Sequence, residues 1–166
     1  MYIMSLRQLF RGVHNAYCIN RDPQVKIKRL MKSYNMTDWK NKAKHQDLWF
    51  NNPIIHNGQE IDKPNQHIKT PVFFNESPHF DMFIIGYPGL FKTTIHHHTN
   101  SDCFVKVLDG SITEHRYRLS KLSRESRLHD NEESITNIVH VKSGEFHTIK
   151  NNLEIPTYTL NIYSKK

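Results

Sequence analysis

From Phe80 onward the chain is a succession of short apolar or alternating runs: Phe80–Ile85, Thr93–His98, Cys103–Leu108, Ser111–Tyr117, Thr136–Val141 and Thr157–Tyr163. Each is too short for a buried helix and has the length of a strand. Strands of this kind bury their apolar faces only by stacking sheet on sheet or by closing on themselves, so a β-sandwich or small barrel is expected. Asp109-Gly110, flanked by two of the runs, is the strongest hairpin signal in the sequence, because a tight primed turn needs residues that accept positive φ. Ser120–Glu133 is polar and charged and reads as a long excursion between strands.

The N-terminal third has helical spacing instead. Ser5 followed by Gln8 forms a capping-box pattern, and Leu6, Leu9, Phe10, Val13 and Tyr17 recur on one face. Asp22-Pro23 starts a second helix, with Val25, Leu30, Met31 and Tyr34 as its apolar positions. Thr37-Asp38-Trp39 opens a third, shorter one. Asn51–Thr70 holds Asn-Pro, Asn-Gly and Lys-Pro pairs and reads as loop. At 166 residues the chain is expected to be one domain, 1–166, with a helical cap over about 1–50 on a small antiparallel β-barrel over about 70–166.

No apolar run approaches the roughly 20 residues of a membrane helix, and Met1–Phe10 lacks the pattern of a secretory leader. The two cysteines, Cys18 and Cys103, suit a reducing compartment, so a cytoplasmic protein is expected. The net charge of +7 raises the question of nucleic acid. Much of the excess lies at Lys26, Lys28, Arg29, Lys32, Lys40, Lys42 and Lys44, which alternate with apolar positions as a solvated helix face would. No nucleic-acid or membrane partner is expected, and the chain reads as a monomer.

The chemistry concentrates in Ile95-His96-His97-His98-Thr99-Asn100-Ser101-Asp102-Cys103. In an extended strand His96 and His98 face one way and His97 the other, so the first two can chelate one ion. Gly144-Glu145-Phe146-His147 supplies a third imidazole from a separate part of the chain. Three such ligands leave coordination positions open, as in a catalytic rather than a structural metal site. On residue type alone, Cys103 is a small core residue and Tyr163 a core or rim aromatic. Cys18, on the first helix, reads as structural.

The order of these motifs resembles the cysteine dioxygenase family of the cupin superfamily. His96-x-His98 followed by Cys103 and the turn at Gly110 is similar to the first cupin motif, with Cys where most cupins carry a ligating Glu. Gly144, His147 and Asn151 match the second, Gly-x-x-His-x-x-x-Asn. Thr159-Leu160-Asn161-Ile162-Tyr163-Ser164 resembles the family's strand with an active-site Tyr, and Leu30-Met31-Lys32-Ser33-Tyr34 with Asp38-Trp39 its helical cap. The resemblance implies a cupin jelly roll and a non-haem Fe(II) enzyme that inserts both atoms of O2 into a small thiol, L-cysteine in the first instance, to give a sulfinate. It implies His96, His98 and His147 as iron ligands, a Cys103–Tyr163 thioether beside them, and the Tyr163 hydroxyl near substrate.

Three neutral imidazoles leave a ferrous ion its full charge, which favours an incoming thiolate. Two positions depart from the family pattern. Lys69, in His67-Ile68-Lys69-Thr70, stands nearest to the Arg that holds the substrate carboxylate, and Asn161 stands where a His usually precedes the Tyr by two residues. Lys69 offers a point charge without the bidentate fork. The chain also ends three residues after Tyr163, from which a more open pocket is expected. The alternatives are another thiol substrate (3-mercaptopropionate, cysteamine or an N-terminal Cys) and a non-catalytic cupin holding zinc or another metal.

Overall fold

A computed structural model describes residues 4–44, 54–56, 59–61, 67–73, 76–119, 128–134 and 138–165. Helix α1, Leu6–Ile19, begins as its sequence dictates: the Ser5 hydroxyl accepts from the Gln8 N–H while the Gln8 side chain accepts from the Ser5 N–H. Helix α2, Gln24–Ser33, follows Pro23, which is its cap residue. It buries Ile27 and Met31, and Val25, expected on that face, is exposed. Residues 40–44 form a further helical turn after Thr37. Asp38 accepts from the Leu6 N–H and from the Tyr34 hydroxyl, tying the start of α1 to the end of α2. The basic residues between Lys26 and Lys44 are exposed, as a solvated face. No helix among the described residues is long and apolar enough to cross a membrane.

The strands are β1 (Ile54–His56), β2 (Gln59–Ile61), β3 (Ile68–Pro71), β4 (Phe80–Tyr87), β5 (Cys103–Asp109), β6 (Ile112–Leu119), β7 (Leu128–Ser134), β8 (Val139–Val141), β9 (Phe146–Asn151) and β10 (Thr157–Ser164). They form a two-stranded sheet β1-β2, a five-stranded sheet in the order β3-β4-β10-β5-β8 and a three-stranded sheet β7-β6-β9. Every pairing is antiparallel.

Alternation along the central strands sorts two cores. Phe80, Met82 and Ile84 of β4, Phe104 of β5, and Tyr158, Leu160 and Ile162 of β10 pack with the apolar faces of α1 and α2. Residues of the opposite parity, Ile85, Tyr87, Cys103 and Val105, join Ile112 of β6 and Ile149 of β9 in a second cluster, against which Tyr163 packs. The five-stranded sheet is thus covered on both faces, and its second face opens the space in which the histidines lie.

Three sequence expectations change. Asp109-Gly110 does not close a hairpin, because β5 pairs with β10 and β8 while β6 pairs with β7 and β9. The turn carries the chain from one sheet to the other. Within Asn51–Thr70, read as loop, β1 pairs with β2 and β3 begins; the Asn-Gly between β1 and β2 was itself a hairpin signal. Within Ser120–Glu133, read as an excursion, residues from Leu128 pair in register with β6. Their polarity fits the place of β7 at the edge of its sheet.

Asn151 of the second motif proves structural. Fully buried, it donates to the carbonyls of Tyr87, Pro88 and Ile155 and accepts from the Leu153 N–H and the Thr157 hydroxyl. Gly110 has φ 86°, and a Cβ there would lie 2.2 Å from the Thr157 Oγ1. Gly144, at φ 82°, would place its Cβ in open space. Gly110→Ala should therefore cost about 3 kcal/mol in urea unfolding, strain plus overpacking, and Gly144→Ala about 1 kcal/mol, strain alone. Equal losses would remove the Thr157 contact as the cause.

Candidate metal centre

The segment expected as a strand at Thr93–His98 forms no ladder and meets the sheet at isolated bridges, Lys92 with Lys150 and His96 with His147. Exchange of both backbone hydrogen bonds between His96 and His147, at 3.0 and 2.8 Å, sets these two side by side. Two residues on, the His98 carbonyl accepts from the Gly144 N–H at 3.0 Å and from the Ser143 hydroxyl at 3.3 Å. The turn between β8 and β9 thus anchors His98, and Asp102 anchors that turn by accepting from the Ser143 N–H. His97 points away and lies against Phe146, ring centres 4.8 Å apart.

One ligand nitrogen from each of His96, His98 and His147 lies within 4.8 Å of the others. Imidazoles on one ion stand roughly 3–4 Å apart, given bonds of about 2.1 Å, so the spacing needs little adjustment. The His96 Nδ1 faces the Thr94 carbonyl at 2.9 Å, and the His147 Nδ1 faces a Glu114 carboxylate oxygen at 2.9 Å. Both nitrogens must carry their protons, since neither partner donates, which leaves both Nε2 atoms as free lone pairs. The His147 Nε2 lies 3.1 Å from that of His98, a contact satisfied by a proton or by a shared cation. The three rings border an inner chamber of about 40 Å³, roomy enough for an ion with a water. Neutral nitrogens, preset lone pairs and this chamber fit a divalent transition metal.

Burial favours the neutral rings of His96 and His98. It holds the His96 pKa below its usual value, and it lowers that of His98 to about 4, with His147 and His96 adding repulsion. Cys103 and Tyr163 are direct cross-strand partners in β5 and β10. Burial pushes the Cys103 thiol up to about 12, against the pull of hydrogen bonds from Tyr163 and Asn161. It raises the Tyr163 hydroxyl well above the usual phenol, with Cys103 adding to the effect. The Asn161 amide donates to the Cys103 Sγ at 3.7 Å and accepts from the Thr159 hydroxyl at 2.6 Å. The Tyr163 ring lies 5.2 Å from that of His98.

Outside the chamber a wider pocket of about 550 Å³ is lined by His96, His98 and Tyr163 together with His67, Lys69 and Lys92. The Lys69 ammonium sits over the rings of Phe83 and Tyr163, 3.9 and 4.1 Å from their centres. Its pKa is lowered by partial burial, with Cys103 and Asp81 opposing the shift. All six candidate residues (His96, His98, His147, Cys103, Tyr163 and Lys69) thus border the chamber or its mouth. Cys18 lies apart and exposed, 3.6 Å from imidazole nitrogens of His14 and His79. Sequence reasoning missed Glu114, a fully buried carboxylate between His147 and Arg116. Burial alone would raise its pKa, but those two hydrogen bonds outweigh it and hold the group ionised. The signal was a carboxylate at an inward position, two residues from Ile112 on β6.

The family model for cysteine dioxygenase type I matches residues 66–155, which include all three histidines and Cys103. The chain belongs to the cysteine dioxygenase family. A search of curated proteins gives no match. Among solved structures the chain is similar to the TT1209 protein of Thermus thermophilus, 17% identical over 79% of this chain and 97% of that one, at a TM-score of 0.50. It is also similar to a cupin domain from Bordetella pertussis (17% identity, 60% and 94% coverage, TM-score 0.43) and to an oxalate oxidase in complex with glycolate (16% identity, 63% and 53% coverage, TM-score 0.48). The Thermus likeness, at 17% identity, speaks to fold alone.

As a member of the cysteine dioxygenase family the chain is a cupin whose histidine triad could hold a metal. The depressed His98 pKa fixes a sign for the metal-free protein. Because the folded state favours the neutral ring, the contribution is fully present above about pH 6.5 and lost as pH falls toward about 4. Thermal melting of metal-free protein should therefore show a falling midpoint across that window, flattened in His98→Phe. An unchanged pH slope in that variant would contradict the assignment.

Proposed function

We propose that this chain is an iron-dependent thiol dioxygenase acting on a small thiol that carries a carboxylate, with L-cysteine as its leading substrate. The observation that carries the reading is the convergence of three imidazole ligand atoms on one chamber, in a member of the cysteine dioxygenase family. His96, His98 and His147 would hold Fe(II), which supplies the O2 chemistry that side chains lack and a site for the substrate sulfur.

The remaining residues bind and orient. The Lys69 ammonium, at the mouth beside the Tyr163 ring, suits a substrate carboxylate. The Tyr163 hydroxyl, kept protonated by burial, can donate to a substrate or oxygen atom. Asn161 holds the Cys103 sulfur in place. The overall reaction balances as thiol plus O2 to sulfinic acid.

Iron-loaded protein should consume O2 with L-cysteine and yield cysteine sulfinate. In Lys69→Ala, KM for L-cysteine should rise about tenfold, the loss of one charge-assisted hydrogen bond, and cysteamine turnover should hardly change. Bound zinc, and no O2 uptake with cysteine, cysteamine or 3-mercaptopropionate, would leave a metal-binding cupin without this activity.

One observation favours a second substrate. Lys69 and Lys92 both line the outer pocket, and no carboxylate appears among its described lining residues. A substrate ammonium therefore meets like charge and no counter-charge at the mouth, which makes 3-mercaptopropionate the second candidate substrate. The ratio of kcat/KM for the two thiols decides between them.

The pairing of Cys103 with Tyr163 also supports the family's thioether, a bond from Sγ to a ring carbon with loss of the two hydrogens to O2. Intact mass should be lower by two hydrogens after aerobic iron loading, and unaltered in Cys103→Ser. The same deficit in that variant would disprove the bond.

A further inference from the structure

The histidine triad does not stand in a uniform surrounding. His96 gives its Nδ1 proton to a neutral carbonyl, that of Thr94, whereas His147 gives its own to a carboxylate. Glu114 sits diagonally across from His147 in the β6–β9 pairing, where Arg116 is opposite His147 and Ile149 opposite Glu114. Side chains of one parity on these two strands share a face, so a Glu at 114 reaches the ring at 147 without leaving the sheet. Both its oxygens are engaged, Oε1 with His147 and Oε2 with the Arg116 Nε at 2.9 Å, and the side chain is inaccessible to solvent. Arg116, a third exposed, continues outward to the His140 carbonyl and toward Glu145.

Resting on the reading of His96, His98 and His147 as a metal site, we propose that Glu114 is a positioning residue for that site. It locks His147 in the tautomer that presents Nε2 and places a compensated negative charge behind that one ligand. The centre is then not three equivalent neutral imidazoles. His147 is the more electron-rich donor, and Arg116 tempers the charge so that the buried carboxylate remains tolerable. Hydrogen-bonded carboxylates behind ligating imidazoles typically strengthen metal binding 10–100-fold.

Glu114→Gln separates this role from packing. Its amide presents the same shape, but one end must now face the wrong partner. Either its NH2 meets the Arg116 donor, or it turns toward the His147 Nδ1 and drives the ring proton to Nε2. Glu114→Asp keeps the charge on a shorter arm. Cobalt(II) titration under anaerobic conditions, against a competing chelator, gives affinity and visible ligand-field bands together. Glu114→Gln should bind cobalt at least about tenfold more weakly with altered bands, and Glu114→Asp should recover part of the loss. Variants that bind cobalt like the parent, with only a lower melting temperature, would reduce Glu114 to a structural residue and overturn the proposal. No cobalt binding by the parent protein would overturn the metal-site reading itself, and this proposal with it. Should Glu114→Gln fail to fold, ring-nitrogen NMR of the metal-free parent still decides: the His147 proton on Nδ1 supports the proposal, and on Nε2 refutes it.

Discussion

Antiparallel pairing of β5 with β10 is the constraint on which the site depends. Because successive side chains leave a strand on opposite faces, a register that sets Cys103 opposite Tyr163 also sends Phe104 and Ile162 together to the helical side. A slip of one residue would turn Tyr163 and Asn161 into the α1–α2 core and expose Leu160 and Ile162 to the chamber. The helices therefore do more than cover a sheet. By demanding the apolar parity of β4, β5 and β10, they commit the other parity to the pocket. The Lys106 ammonium reinforces the same register, donating to the carbonyls of Met31 and Tyr34 at the end of α2.

Against that fixed wall the histidines are placed by backbone. His96 and His147 trade hydrogen bonds, and His98 is held by the turn at Ser143–Gly144, so little rests on side-chain choice alone. Desolvation then favours the neutral rings of His96 and His98, and the Thr94 carbonyl and Glu114 choose the tautomers of His96 and His147. Each step removes a state that would compete with metal binding: a protonated ring, a wrong tautomer, a divergent pair.

Much of this was legible because it is periodic. The capping box at Ser5, the apolar stripe of α1, the parity of β10 and the spacing of His96, His98 and Cys103 all express local rules. What escaped was non-local. Asp109-Gly110 carries the residues of a tight hairpin, yet where β5 leads depends on β10 having already taken its hydrogen bonds. His96 and His98 share a site without a continuous ladder, because the His96–His147 bridge and the Gly144 N–H bond to the His98 carbonyl hold the segment in place. Asn151 sits inside a metal-site motif, but its amide holds the chain ends of β4 and β10 together. Glu114 is 33 residues from His147, and only pairing of β6 with β9 brings them into contact.

Asn161 shows what a single departure from the family pattern does to the inner face. Its amide lies in a closed chain, accepting from the Thr159 hydroxyl and donating to the Cys103 sulfur. Both ends are occupied and neither titrates, so Asn161 fixes the sulfur beside Tyr163 but moves no proton. Along β10 that leaves Tyr163 as the one titratable side chain facing the chamber, and burial makes its hydroxyl a poor acid. Were a thiol to bind there as proposed, its proton would leave through the mouth, past the rings of His96 and His98, because β10 offers no group to relay it.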